Sequence, residues 1–266
     1  MQLLTPLVPD AGAPLARANP VAKLVAALAV LIALFASLDG VTALVVLVGL
    51  ACAVPFSGLS PSVLVGRAWL LGLAAVSIGV ANILFAPEQL GPAVIDIGPL
   101  RIGGETLLNG LGLAARLIAI AATGILATAT SQPTEIADAL IQQLHASPRF
   151  AIGTLAALRL VPLLASEWQT IAMARRARGV EAGRSPFAVA HLFAGQLMTL
   201  LVGAIRRGSR MALAMEARGF GAAPCRTVAR VERMTAADLG WIVAAIGLAA
   251  AAVAVSVALG TWRPLL

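Results

Sequence analysis

The sequence predicts an all-α integral membrane protein with about five transmembrane helices and a cytoplasmic module of three helices. Three observations carry that prediction. Hydrophobic residues make up 60% of the 266-residue chain and charged residues only 12%, against about 25% charged in an ordinary soluble domain. Apolar runs long enough to cross a bilayer recur along the chain. The basic residues are concentrated: thirteen arginines fall between Arg149 and Arg233, against Glu167, Glu181, Glu216 and Glu232 in that interval. Arginine-rich segments stay on the cytoplasmic side. The chain is accordingly divided into an N-terminal lead with four spans (1–130), a cytoplasmic module (131–235) and a C-terminal span (236–266).

The N-terminal stretch MQLLTPLVPDAGAPLARANPVAK does not read as a signal peptide. Its basic residues follow a Pro-rich polar segment, and no cleavage site succeeds a short apolar core. It reads as a cytoplasmic lead into the first span, 21–38, which ends at Asp39-Gly40. A short second span, 41–54, stops at Pro55, and a third covers 63–85. Gly98-Pro99 lies between the alternating runs VIDI and LRI, the pattern of a small hairpin outside the membrane. The fourth span is 107–130 and the last is 239–259, after the start signal Thr235-Ala-Ala-Asp238. Three helices are expected between these two spans, over 133–145, 150–178 and 186–218. The last two each finish with Arg in the final turn and Gly just beyond, a normal helix stop.

Residues 187–205 are apolar enough to cross the membrane, and 150–171 nearly so. A crossing by 187–205 would put Arg175, Arg176, Arg178 and Arg184 on the side opposite Arg206, Arg207 and Arg210. Both groups favour the cytoplasm, so long helices lying along or under the membrane are expected. Five spans then leave the N-terminus inside and TWRPLL outside, with Asp39, Glu88, Asp96 and Glu105 in outer loops beside Arg101 and Arg263.

Several chemistries are excluded. A phosphate loop needs Gly-x-x-x-x-Gly-Lys-Ser/Thr, and the single Lys, Lys23, lies in NPVAKL. The chain is therefore not expected to be an enzyme or to hold a cofactor. His145 and His191 have no partner at ligand spacing and read as packing or interfacial residues, and Cys52 and Cys225 lie in unlike settings, so no metal site or disulfide is expected. The net charge of +7 comes without aromatic-basic interleaving and without a single Tyr, which argues against nucleic-acid binding. Arg116, well inside the fourth span, is a functional candidate because burying it in hydrocarbon is costly. The alternative is that it pairs locally or reaches for the interface.

AMARRARGVEAG (172–183) and ALAMEARGFGA (212–222) share Ala-Arg-Gly at an offset of forty residues. One such tripeptide is explained by a helix end, where Arg suits the negative pole and Gly the left-handed position. Two, closing consecutive long helices and flanked by matching alanines, suggest a pair of plugs. An arginine projecting from a helix end can form a bidentate pair with a carboxylate in a partner's groove.

NPVAKL (19–24), TSQPTEIADAL (130–140), ALRLVPLLASEWQTIAMARRARG (157–179) and AIRRGSRMALAMEARGFG (204–221) resemble the T component of energy-coupling factor transporters, the EcfT/CbiQ/BioN family. The resemblance covers roughly 19–235, and the lead before NPVAKL is longer than the family's. It implies an energy-coupling subunit whose module consists of coupling helices. It implies two ABC ATPase subunits as partners, docked by Arg178 and Arg218, with Ala177, Gly179, Ala217 and Gly219 as close-packing neighbours. It also implies a membrane-embedded S component that carries a vitamin or transition-metal ion. Pro162, Gly195, Gly203 and Gly208 are expected bending points of the levers. The rival readings are a self-sufficient carrier or channel, whose arginines would be topology signals only, and an S component, which should lack the basic module.

Overall fold

The computed structural model describes residues 12–86, 92–97, 100–180, 185–220 and 231–262. The Gly98-Pro99 turn, Glu88, Cys225 and residues 263–266 fall outside these. The described elements are α1 (Pro20–Ala36), α2 (Gly40–Ser57), α3 (Pro61–Leu84), β1 (Ala93–Ile97), β2 (Leu100–Gly103), α4 (Gly104–Ala129), α5 (Pro133–Gln143), α6 (Pro148–Ala177), α7 (Pro186–Ala217) and α8 (Ala236–Ala258). The protein is an all-α integral membrane protein apart from one antiparallel hairpin, β1–β2, where the alternating runs placed it. It divides into two compact units, one built from α1–α4 and α8, the other from α6 and α7, with α5 straddling the boundary at Leu140.

Among the described residues, five helices are long and apolar enough to cross a membrane: α2, α4, α6, α7 and α8. The spans expected from the sequence include α1 and α3 in place of α6 and α7. α1 has 17 residues, about 26 Å at 1.5 Å per residue, slightly less than a bilayer core of about 30 Å. α6 and α7, at 30 and 32 residues, exceed that thickness. Pro55 does not end α2, which continues to Ser57 and stops at left-handed Gly58 (φ 68°). Pro55 removes the hydrogen bond to the carbonyl of Ala51 in the preceding turn, yet the helix runs on for two residues beyond it.

In the bundle, α4 packs against α1, α2 and α3, and α8 packs against α1 and α2. Val30, Leu34, Ala43, Val46, Ala119 and Ala252 form the buried centre. Small residues let the helices approach closely, as is common where lipid removes the hydrophobic drive between helices. A Cβ on Gly40 would lie 3.0 Å from the Gly112 Cα, and one on Gly79 would lie 2.8 Å from the Gly110 carbonyl oxygen. Any larger side chain would therefore push α2 or α3 off α4.

At one end of the bundle, Asn19 caps α1 through Val21 N–H (2.9 Å), and its own N–H donates to Asp238 Oδ1 (2.7 Å). Asp238 closes a capping box with Thr235 at the start of α8. Lys23 Nζ donates to the carbonyls of Ala16 (3.1 Å) and Thr130 (2.9 Å) and to Ser131 Oγ (3.3 Å). NPVAKL thus ties together the beginnings of α1 and α8 and the end of α4. Thr130 and Thr235, which border the basic segment, consequently lie at the same end of the bundle.

Candidate functional site

The two Ala-Arg-Gly stretches form the same local structure. Ala177 is the last residue of α6, Arg178 its C-cap, and Gly179 is left-handed at φ 71°. Gly179 N–H donates to the Arg176 carbonyl (2.9 Å) and Val180 N–H to the Arg175 carbonyl (3.0 Å). At the end of α7, Ala217 is last, Arg218 caps, and Gly219 has φ 75°. Gly219 N–H donates to the Glu216 carbonyl (2.9 Å) and Phe220 N–H to the Met215 carbonyl (3.0 Å). Both are Schellman motifs, each with an apolar residue after the glycine. A Cβ on either glycine would meet nothing within 4 Å. Backbone conformation, not space, calls for glycine there.

These caps present arginine outward. Ala177, Arg178, Gly179, Ala217, Arg218 and Gly219 are all exposed. Among the described residues, neither the Arg178 nor the Arg218 side chain makes a hydrogen bond or ion pair. A capping role needs only backbone groups and the glycine, so both guanidinium forks are left for an external acceptor.

α6 and α7 are joined by side chains that the motif search did not single out for this role. Arg207 makes a bidentate pair with Glu167, at 2.5 and 2.9 Å. Arg175 donates to the Leu192 carbonyl (3.1 Å) and Thr199 Oγ1 (3.3 Å). Gln196 Nε2 donates to the Trp168 carbonyl (2.9 Å), and Trp168 meets Phe193 edge to face at 5.2 Å. Gly195 serves this contact, since a Cβ there would lie a tight 3.2 Å from Arg175 Nη1, whereas a Cβ on Gly203 would meet Glu167 Oε1 at an ordinary 3.5 Å. α6 and α7 run unbroken through Pro162, Gly195, Gly203 and Gly208. One signal for Glu167–Arg207 was present in the sequence, since the two are forty residues apart, the spacing of the Ala-Arg-Gly pair.

Arg116 is buried, and its Nε donates to the Leu34 carbonyl (2.8 Å), one of the last carbonyls of α1. The charge of Asp39 faces it. Asp39 itself is buried at the start of α2, bonded to Ser37 Oγ, Thr42 N–H (2.8 Å) and Thr42 Oγ1 (2.9 Å). Burial raises the Asp39 pKa, but hydrogen bonds from Ser256 and Thr42 outweigh it and hold the carboxyl below its ordinary value. Arg116 Nε thus ties α4 to the C-terminus of α1, while its Nη2 is buried without a hydrogen-bond partner among the described residues.

A cavity of about 320 Å³ opens between α1, α2, α4 and α8, lined almost entirely by apolar groups such as Val30, Leu50, Phe56 and Leu248. Cys52, a free thiol, lines it as well. His145 is exposed and left-handed (φ 52°) just after α5. His191 is exposed on α7. Among the described residues, no three His, Cys, Asp or Glu side chains converge as a metal site.

Comparison with known proteins adds the family. The family model described as Cobalt transport protein, CbiQ, matches residues 11–228. The energy-coupling factor transporter transmembrane protein EcfT of Leuconostoc gelidum subsp. gasicomitatum is 33% identical over 162 residues, 57% of this chain and 59% of that protein. EcfT of Thermosediminibacter oceani is 32% identical over 162 residues, 58% and 61% of the two chains. EcfT of Bacillus subtilis is 31% identical over 172 residues, 60% and 63% of the two chains. The chain therefore spans 59–63% of the length of these curated relatives. The family match begins ahead of the Asn19–Lys23 tie and runs past the second Ala-Arg-Gly cap, so this chain belongs to the CbiQ/EcfT family of energy-coupling factor transporter transmembrane components.

Proposed function

We propose that this chain is the energy-coupling membrane subunit of an ABC importer of the energy-coupling factor type. Two cytoplasmic ATPases dock on it, one at Arg178 and one at Arg218. ATP-driven movement of those ends is passed along α6 and α7 to a separate S component in the membrane, which carries a vitamin or transition-metal ion. The observation that carries this reading is the pair of matching caps, each with an exposed arginine fork that makes no bond among the described residues. Hydrolysis belongs to the partners, because Lys23 is spent on Ala16, Thr130 and Ser131 and lies in no phosphate loop. Thr130 and Thr235 lie at one end of the bundle, which supports placing the borders of the basic segment on one side, the cytoplasm. Lys23, Asp39 and Asp238 inside the bundle are bonded to groups at helix ends, which disfavours a self-sufficient carrier.

The test is charge reversal. Arg178→Glu and Arg218→Glu should each weaken association with the ATPases. Removing one partner of a buried charge pair costs about 2–5 kcal/mol, so each loss should be about 30-fold or more at about 1.4 kcal/mol per factor of ten. The controls are Arg176→Glu and Arg206→Glu, exposed positions outside the motif. Arg175 and Arg207 are unsuitable controls because they hold α6 to α7. Motif and control variants that assemble equally well would end this reading.

A further inference from the structure

The α6–α7 contact supports the two caps unequally. Arg175, three residues before Arg178, is bonded to Leu192 and Thr199 of α7. The α6 cap therefore leaves directly from the contact. On α7, the last described bond to α6 is Arg207–Glu167. Among the described residues, no hydrogen bond, ion pair or ring contact ties 208–217 to α6. Arg218 therefore ends an eleven-residue arm, about 16 Å long at 1.5 Å per residue. Arg207 is its root. The pair is bidentate, so it fixes direction as well as distance, which a single bond would not. The Glu167 carboxylate lies beside the α7 backbone one turn before Arg207, at van der Waals distance from where a Cβ on Gly203 would stand.

We propose that the Glu167–Arg207 pair is the fulcrum of this arm, a positioning contact that sets where Arg218 stands while taking no part in docking itself. The proposal rests on the docking reading for its purpose. Its geometry concerns only α6 and α7. Because Glu167 and Arg207 occupy corresponding positions of the forty-residue offset, each lies eleven residues before its own motif arginine. The same pair thus references both caps. The α6 cap gains a second hold on α7 from Arg175, whereas among the described residues 208–217 have no such hold on α6.

The experiment measures the spread between the two ends on the full-length chain in lipid vesicles. In a Cys52→Ser, Cys225→Ser background, spin labels are placed at Ala174→Cys and Ala214→Cys, exposed matched positions four residues before each motif arginine. Electron–electron resonance should give one narrow distance distribution. Glu167→Ala or Arg207→Ala should lose it, and the swap Glu167→Arg with Arg207→Glu should regain it. Arg210→Glu, exposed on the same arm, should leave it narrow. A distribution equally narrow in the single alanine variants, or one that stays spread in the swap, overturns the fulcrum. In the assembled transporter, Glu167→Ala should keep ATPase association and lose transport. Association falling as far as in Arg218→Glu would make the pair part of docking, also overturning the proposal. The distance measurement needs no ATPase, so failure of the docking reading leaves it intact.

Discussion

At the end of α6 and at the end of α7 the chain builds the same cap from the same three residues, with matching bond lengths and nearly matching glycine angles. The two caps differ in what lies behind them. Behind Arg178 comes Arg175, held to two α7 groups; behind Arg218 come ten residues with no such tie, among the described residues, until Arg207. A helix stop is a local product of sequence, written by Arg-Gly and completed by backbone bonds. Support is a tertiary product, decided by which side chains reach the neighbouring helix. On the proposed docking, two like caps on unequal mountings would meet two similar sockets while moving by different amounts.

The comparison is broken most severely by removing Arg175. Arg175→Ala deletes two hydrogen bonds, worth roughly 0.5–1.5 kcal/mol each and less where solvent reaches them. In the intact chain, amides of 208–217 should exchange with solvent faster than those of 168–177, because local opening follows local support. Arg175→Ala should raise exchange in 168–177 by about tenfold for each 1.4 kcal/mol lost and so narrow the difference between the ends. Equal exchange at both ends of the unaltered protein would remove the asymmetry altogether.

A smaller effect sharpens the other half of the comparison. Gly179→Ala and Gly219→Ala place a Cβ at φ 71° and 75°, at a cost of roughly 1–2 kcal/mol each. Because the caps are alike and neither Cβ would meet a neighbour, the two losses should match. Exchange of the last-turn amides measures each one. A marked difference between them would mean that the caps are not equivalent.

Much of this architecture is legible in the sequence, and the illegible parts share a cause. The apolar runs, the hairpin strands and the two Arg-Gly helix stops are set by residues close together in the chain. Arg116 was conspicuous, but its partner is the Leu34 carbonyl, and a backbone acceptor leaves no trace in composition. Lys23 was visible as the single lysine, yet what it binds across the bundle was not, for the same reason. Gly195 and Gly203 suggested bends because a glycine signals only that space or freedom is needed. At Gly195 the Arg175 guanidinium packs where a Cβ would stand at 3.2 Å, a need for space that composition does not display. Asp39 reads as a polar loop residue, and only the return of neighbouring helices makes it a buried cap.

The central claim is that both arginine-bearing caps touch ATPases. Site-specific photocrosslinking in native membranes tests it most directly, with benzoylphenylalanine at Ala177 and at Ala217, beside the two arginines, and at Leu158, an exposed α6 position twenty residues before Arg178 and outside both motifs. The account predicts that Ala177 and Ala217 each give an adduct with an ATP-binding-cassette ATPase, identified by mass spectrometry, and that Leu158 gives none. Adducts with an ATPase at neither cap, or as abundant at Leu158 as at Ala177 and Ala217, would contradict it.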